Sequence, residues 1–207
     1  GKSLGKYYAM VNLDTVTFLD PASLYNKLEL DVDDQKIAHI VKEKLFEALE
    51  TTSDYVFIDT EANRNLSTNI ILEEADLVVV NLDQNPMHVK DYFDHYASLQ
   101  EKTVFLVGNY RPEVSYNIQE ICKEYSVERD RIVGLPYHFE LEESVKNGTV
   151  LSFLNRSYFQ PMNKENEYFV RQLKRACRMI RKKSVACRRE KMRFSKENQI
   201  GEVFSIM

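Results

Sequence analysis

This 207-residue chain predicts an α/β fold, a parallel sheet covered by helices on both faces. Two observations carry that expectation. Four short runs, 55–58, 77–80, 103–107 and 131–135, are apolar on both strand faces, as strands buried inside a parallel sheet are. Helical patterns sit between them, and strictly alternating strand and helix implies right-handed crossovers joining parallel neighbours. Composition agrees: 43% hydrophobic and 29% charged residues suit a chain that builds one ordinary core.

Each element has its own justification. Residues 7–13 form a weaker strand candidate, placed at an edge. Over 34–49, Ile37, Ile40, Val41, Leu45 and Leu49 fall on one helical stripe, with Asp33 or Asp34 available as the cap. A shorter helix, 65–75, follows the strand at 55–58. Asn85-Pro86 opens the next, with Pro at the first helical position and Val89, Tyr92, Phe93, Tyr96 and Leu99 on its inner face. Residues 116–125 repeat the spacing with Ile118, Ile121, Cys122 and Tyr125. The last helix, 165–183, carries Phe169, Leu173, Ala176, Cys177 and Ile180 at helical spacing, and 198–207 shows little pattern.

Charge divides the chain. Residues 1–170 hold 16 Lys/Arg against 29 Asp/Glu, whereas 171–207 hold 12 against 3. The expected organisation is an α/β domain over 1–170 and a basic C-terminal helix and tail over 171–207. The basic side chains Arg171, Lys174, Arg175, Arg178, Arg181, Lys182 and Lys183 have three readings. They form a solvated face on a packed helix, they meet nucleic-acid phosphates, or they lie on an anionic membrane at about 1 kcal/mol per cation. Large apolar anchors are sparse after Met179, which favours DNA or a protein partner over lipid. No run reaches the roughly 18 apolar residues of a membrane span, and no signal-peptide pattern opens the chain. Three cysteines without a C-x-x-C pair suit a reducing compartment. The expected location is the cytoplasm, with peripheral attachment to membrane or nucleoid if the basic helix binds there.

In open parallel sheets, ligands bind beyond the carboxyl ends of the strands. That rule selects Asp59-Thr60, Asn81-Leu82-Asp83, Gly108-Asn109 and Leu135-Pro136-Tyr137-His138. A carboxylate such as Asp59 suits a hydrated magnesium ion, which prefers oxygen ligands. The amide of Asn109 both donates and accepts, as recognition of a heterocycle edge requires. The alternative is structural: Asp59 caps a helix or turn, and Asn109 makes a loop bond. His39, His88, His95 and His138 are scattered and read as surface or half-buried, with no partner set for a metal. Cys122 and Cys177 read as packed thiols on apolar stripes, and no nucleophile–base pattern has a supporting context.

Asp54-Tyr-Val-Phe-Ile-Asp59-Thr60, followed by Ala75-Asp76-Leu-Val-Val-Val80, resembles the middle of the ParA/MinD family of deviant P-loop ATPases. The similarity continues through Val104-Phe-Leu-Val-Gly-Asn109 and Gly134-Leu-Pro136-Tyr137 into 140–153, so it covers roughly 54–155. The resemblance implies a nucleotide-switch protein that dimerises on binding ATP and magnesium and hydrolyses ATP slowly under the control of an activating partner. It implies Asp59 as the catalytic, magnesium-side carboxylate, with Thr60 beside it. Asn109 would contact adenine, and Pro136 and Tyr137 would belong to the loop that closes over the base.

The chain also departs from that pattern. Glu61-Ala62-Asn63-Arg64 stands where the family has a Pro-Pro-Gly-like turn, and the Arg expected directly after Asn109 is displaced to Arg111. No G-x-x-x-x-G-K-[ST] loop is present to cradle phosphates. Gly1-Lys2-Ser3 spells only its last letters, and 4–8 does not read as the helix that must follow. Either the phosphate-loop portion has been lost from the N-terminus, which the missing initiator Met favours, or the chain is a degenerate relative. Two functions follow. One is a ParA/MinD-like switch ATPase in partitioning, positioning or assembly, inactive without its loop. The other is a catalytically silent adaptor that binds DNA, membrane or a protein through the basic helix.

Overall fold

The computed structural model describes residues 11–13, 16–18, 55–60 and 66–204, with side-chain surroundings given for 55–60, 66 and 68–189. The helix expected over 34–49 lies outside the described residues. The chain divides into two compact units, Gly1–Ile71 and Leu72–Met207.

In the first unit, β1 (Val11–Leu13) and β2 (Val16–Phe18) pair antiparallel, with Val11 opposite Phe18 and Leu13 opposite Val16. Of the weak strand expected at 7–13, residues 11–13 pair in a two-stranded ladder and not in the parallel sheet, and 7–10 lie outside the described residues. The strand expected at 55–58 does not form: residues 55–60 are irregular, and Tyr55, Val56 and Phe57 are exposed. An apolar run becomes a strand when a neighbour takes up its backbone N–H and C=O groups. None of the described residues does so here.

The second unit holds the parallel sheet. Helix α1 (Leu66–Glu74), which begins in the first unit and ends in the second, leads into β3 (Val78–Leu82), α2 (Pro86–Tyr96), β4 (Thr103–Val107), α3 (Ile118–Glu124) and β5 (Ile132–Gly134). Two helices, α4 (Phe139–Lys146) and α5 (Val150–Phe159), follow, and then the 41-residue α6 (Lys164–Phe204). Both strand pairs are parallel, Val80 aligning with Phe105 and Leu106 with Val133, in the order β3-β4-β5.

Sequential parallel strands joined by right-handed crossovers put their connecting helices on one face. The packing agrees. Leu82, Phe105, Val107 and Ile132 bury against Val89 and Phe93 of α2 and Ile118 and Ile121 of α3. Phe105 sits 5.4 Å from the Phe93 ring, which stacks on Tyr125 at 4.1 Å. Such pairs add about 0.5–1.5 kcal/mol beyond the area they bury. The alternate side chains of β4 and β5, Val104 and Val133, face the other way, onto Ala176 and Met179 of α6. The expectation of helices on both faces is met by this division.

The inner stripe of α6 follows the expected one at Phe169, Leu173, Ala176 and Ile180 and departs from it at Cys177. Phe169, Val170, Ala176 and Met179 are buried, and Cys177 is exposed. One residue turns the helix by about 100°, so with Ala176 on the sheet its neighbour Cys177 swings outward. Cys122 is half-buried against the α2–α3 face, as its spacing predicts, and burial pushes its thiol pKa up. The change in charge at residue 171 falls inside α6, and the helix runs on through much of the stretch that lacks a sequence pattern. No described helix is long and apolar enough to cross a membrane.

Candidate functional site at the carboxyl edge of the sheet

Three of the four strand-end groups meet at one edge of the second unit. After β3, Asp83 is occupied locally: its Oδ1 accepts from the Asn85 N–H at 3.1 Å, and its Oδ2 lies 2.9 Å from His88 Nδ1. Asn85 caps α2 by accepting from Met87 N–H at 3.0 Å, with Pro86 at the first helical position as its sequence requires. Gln84 reaches across the edge. Its Nε2 donates to the carbonyls of Arg111 and Tyr116, both at 3.0 Å, and its Oε1 accepts from Arg111 N–H at 2.6 Å. One amide thus fixes both ends of the loop after β4. Sequence reasoning missed it, because a Gln between a strand and a helix cap carries no pattern of its own.

The strand ends are then pegged in sequence. Gly108 N–H donates to Leu82 O at 2.8 Å, Leu135 N–H to Val107 O at 2.8 Å, and Tyr110 N–H to Leu135 O at 2.9 Å. Between these bonds Asn109 turns the chain through φ 48°, a left-handed conformation that Asn tolerates better than most residues. The turn lays the Tyr110 ring on Gly134, where an added Cβ would run into it. Asn109 itself is exposed, and its side-chain amide has no partner among the described residues. The loop bond offered as its structural alternative is therefore not among the described contacts.

Pro136 is half-buried, and Tyr137 is exposed with its hydroxyl donating to Glu142 at 2.7 Å. That bond is the first cause of the raised Tyr137 pKa and the lowered Glu142 pKa. Asp59 is exposed and Thr60 partly so, both in the first unit, whereas Asn109, Pro136 and Tyr137 belong to the second. Among the described residues there is no group of three or more His, Cys, Asp or Glu side chains able to hold a metal.

His138 requires a correction. It is 4% exposed, not surface or half-buried. Its Nδ1 accepts from Leu141 N–H at 3.3 Å, capping α4, and its Nε2 donates to Asn166 Oδ1 at 2.9 Å. Phe153 and Phe169 close over the ring at 5.1 and 5.0 Å. With Nδ1 accepting from a backbone N–H, the proton sits on Nε2. His138 is thus a strut joining the end of β5 to α6. The other described histidines, His88 and His95, are exposed, as expected.

Compared with known proteins, the chain matches no family model, no curated protein and no solved structure.

The basic residues of α6 divide by what they touch. Lys183, only 12% exposed, pairs with Asp130 at 2.8 Å and Glu128 at 3.4 Å. Lys174 lies 4.0 Å from the centre of the Tyr158 ring, and Arg171 lies 5.4 Å from that of Tyr168. Lys182 has a single long contact, 3.9 Å, with Asp130. Arg175, Arg178 and Arg181 are exposed and have no ion pair among the described residues.

Proposed function

We propose that the carboxyl edge of the sheet is the base-binding side of a ParA/MinD-like nucleotide switch with a P-loop NTPase-like sheet. The observation that carries the reading is Asn109. It lies in the turn just after the central strand of three parallel strands, is exposed, holds a left-handed conformation and keeps its amide unpartnered among the described residues. An amide so placed can donate to and accept from an adenine edge. Pro136 and Tyr137, at the end of the neighbouring strand, would flank the base. Asp59 would supply the magnesium-side carboxylate, with Thr60 beside it, and ATP-driven homodimerisation would be the switch for partitioning, positioning or assembly. The residues present offer oxygen ligands of the kind magnesium takes, and the ion would neutralise phosphate charge when bound.

The test is binding of a fluorescent ATP analogue with magnesium to the full-length protein and its Asn109→Gly variant. Gly removes the amide but accepts the left-handed turn without strain. Loss of a neutral hydrogen bond costs about 0.5–1.5 kcal/mol, so affinity should fall by up to about tenfold. Equal affinity would sink the role given to Asn109.

A second reading is favoured by the absence of any glycine-rich phosphate loop in the 207 residues. In it the same fold serves as a catalytically silent adaptor, and α6 holds DNA, membrane or a protein. No measurable ATP binding by the full-length protein, together with retained partner capture, would select it.

A further inference from the structure

Between Tyr168 and Arg189, α6 carries nine Lys or Arg residues and no Asp or Glu. Two of the nine are engaged within the domain, Lys183 on Asp130 and Lys174 over the Tyr158 ring. Arg175, Arg178, Arg181, Arg188 and Arg189 are exposed and form no ion pair among the described residues. Steps of three, four and seven return to the same side of a helix. Arg171, Arg175, Arg178, Lys182 and Arg189 therefore form one strip, about 27 Å long at 1.5 Å per residue. Arg181 and Arg188, seven apart, follow one border of it. On the other border Arg129, in the turn before β5, stands across a groove from Arg175 and Arg178. The strip has no apolar floor. Phe169, Val170, Ala176 and Met179 are buried, and Leu173 and Ile180 pack into the domain. Val185 is the one large aliphatic side chain of α6 that is exposed among the described residues.

We propose that this strip binds the phosphate backbone of a nucleic-acid duplex without regard to base sequence. Guanidinium forks grip phosphate through paired hydrogen bonds, and backbone contacts alone give sequence-independent binding. A duplex carries one charge per about 1.7 Å of its axis, so a strip of this length meets several phosphates at once. Each other polyanion calls for something the described strip does not present. Protein interfaces are anchored by apolar or aromatic side chains at their centre. A helix lying on a membrane buries an apolar face in lipid, whereas that face of α6 is packed against the sheet and α5. Single strands stack their bases on aromatic rings, and the exposed ring of this stretch, Tyr168, lies under Arg171 at 5.4 Å. Duplex phosphates ask for charge alone. The proposal rests on the adaptor reading, for which it names the partner, and it does not depend on nucleotide binding at the carboxyl edge.

The experiment uses the full-length protein and two fluorescein-labelled DNA duplexes of unrelated sequence, followed by anisotropy from about 50 to about 200 mM salt. Both duplexes should bind alike, with affinity falling steeply as salt rises. In the Arg175→Gln/Arg178→Gln double variant, affinity should drop at least about tenfold. Its log–log salt slope should be shallower by about 1.8, or about 0.9 per lost phosphate contact. Both side chains are exposed, so the variant should keep the wild-type circular dichroism spectrum and melting temperature. Lys123→Gln/Lys146→Gln removes the same charge at exposed positions away from α6 and should bind DNA as the wild type does. Undiminished duplex binding by the folded α6 variant would overturn the proposal, as would an equal loss in the Lys123/Lys146 control. The remaining arms are the single strand, vesicles of phosphatidylcholine and phosphatidylserine in equal parts, and polyglutamate. If one of these binds more tightly than the duplex and loses affinity in the α6 variant, α6 is a holding surface for that partner and the duplex proposal fails. If none of the four binds, both the proposal and the adaptor reading fail.

Discussion

At the carboxyl edge of the three-stranded sheet the loops are held by neutral groups. Gln84 clasps the loop after β4, and backbone bonds peg Gly108, Tyr110 and Leu135. At the amino edge the turn before β5 is held by charge. Arg131 and Lys183 converge on Glu128 at 2.9 and 3.4 Å, and Lys183 also reaches Asp130. Each edge is therefore vulnerable in its own way. Neutral bonds resist salt and pH but fail when one partner is removed; ion pairs with exposed carboxylates, such as Glu128 and Asp130, tolerate deletion and respond to the solvent.

The largest expected effect is at the neutral edge. His138→Ala removes the cap of α4, empties a space between Phe153 and Phe169, and strips Asn166, whose buried Nδ2 has no partner among the described residues, of its Oδ1 bond as well. Urea unfolding should show a loss of about 3 kcal/mol, from the cavity and the stranded amide together. A loss below about 1 kcal/mol would mean that the ring is not the strut described. Gly134→Ala comes next. The added methyl must displace the Tyr110 ring, and overpacking of this kind costs about 1–3 kcal/mol. An unchanged unfolding midpoint would show that Tyr110 moves aside freely.

The smallest effect is at the charged edge. Lys183→Met keeps an apolar stem and deletes the ammonium, so at neutral pH the loss should stay below about 1 kcal/mol. Its signature is the pH dependence. Hydrogen bonds from Arg131 and then Lys183 hold the Glu128 pKa below its ordinary value, and Lys183 does the same for Asp130. Groups depressed in the folded state contribute stability that is complete above their unfolded pKa and is lost as pH falls through the folded value. Unfolding measured from neutral to acid pH should therefore decline less steeply in the variant than in the wild type. Parallel profiles would show that Lys183 is not what depresses the two carboxylates.

The parts of this architecture written in local patterns were readable from sequence. The strand at 103–107 and the Asn85-Pro86 helix start stand where they were expected, because a doubly apolar run and a capping pair are local signals. The run at 55–58 carries the same signal, yet the described chain there is exposed and irregular, since strand formation depends on a partner that periodicity does not name. On α6, Met179 and not Cys177 faces the sheet, which hydrophobic spacing cannot decide when both neighbours are apolar. The strand-end rule placed Asn109, Pro136 and Tyr137 at the carboxyl edge of the sheet, and they lie just beyond β4 and β5 there. It could not find Gln84, or the buried bond between His138 and Asn166, because those contacts span 27 to 32 and 28 residues of sequence. The division among the basic residues of α6 was equally hidden. The sequence shows a basic helix, but only its packing onto β4 and β5 separates Lys183, which is consumed, from Arg175 and Arg178, which remain available.

The most direct test of the nucleotide reading is a backbone amide NMR titration of the full-length protein with ATP and magnesium, since it compares both edges at once. The account predicts shifts at Gly108, Asn109, Tyr110 and Tyr137 while Arg175, Arg178 and Lys182 stay in place. Shifts confined to the α6 cations, or none at the strand ends at saturating ATP, would contradict it.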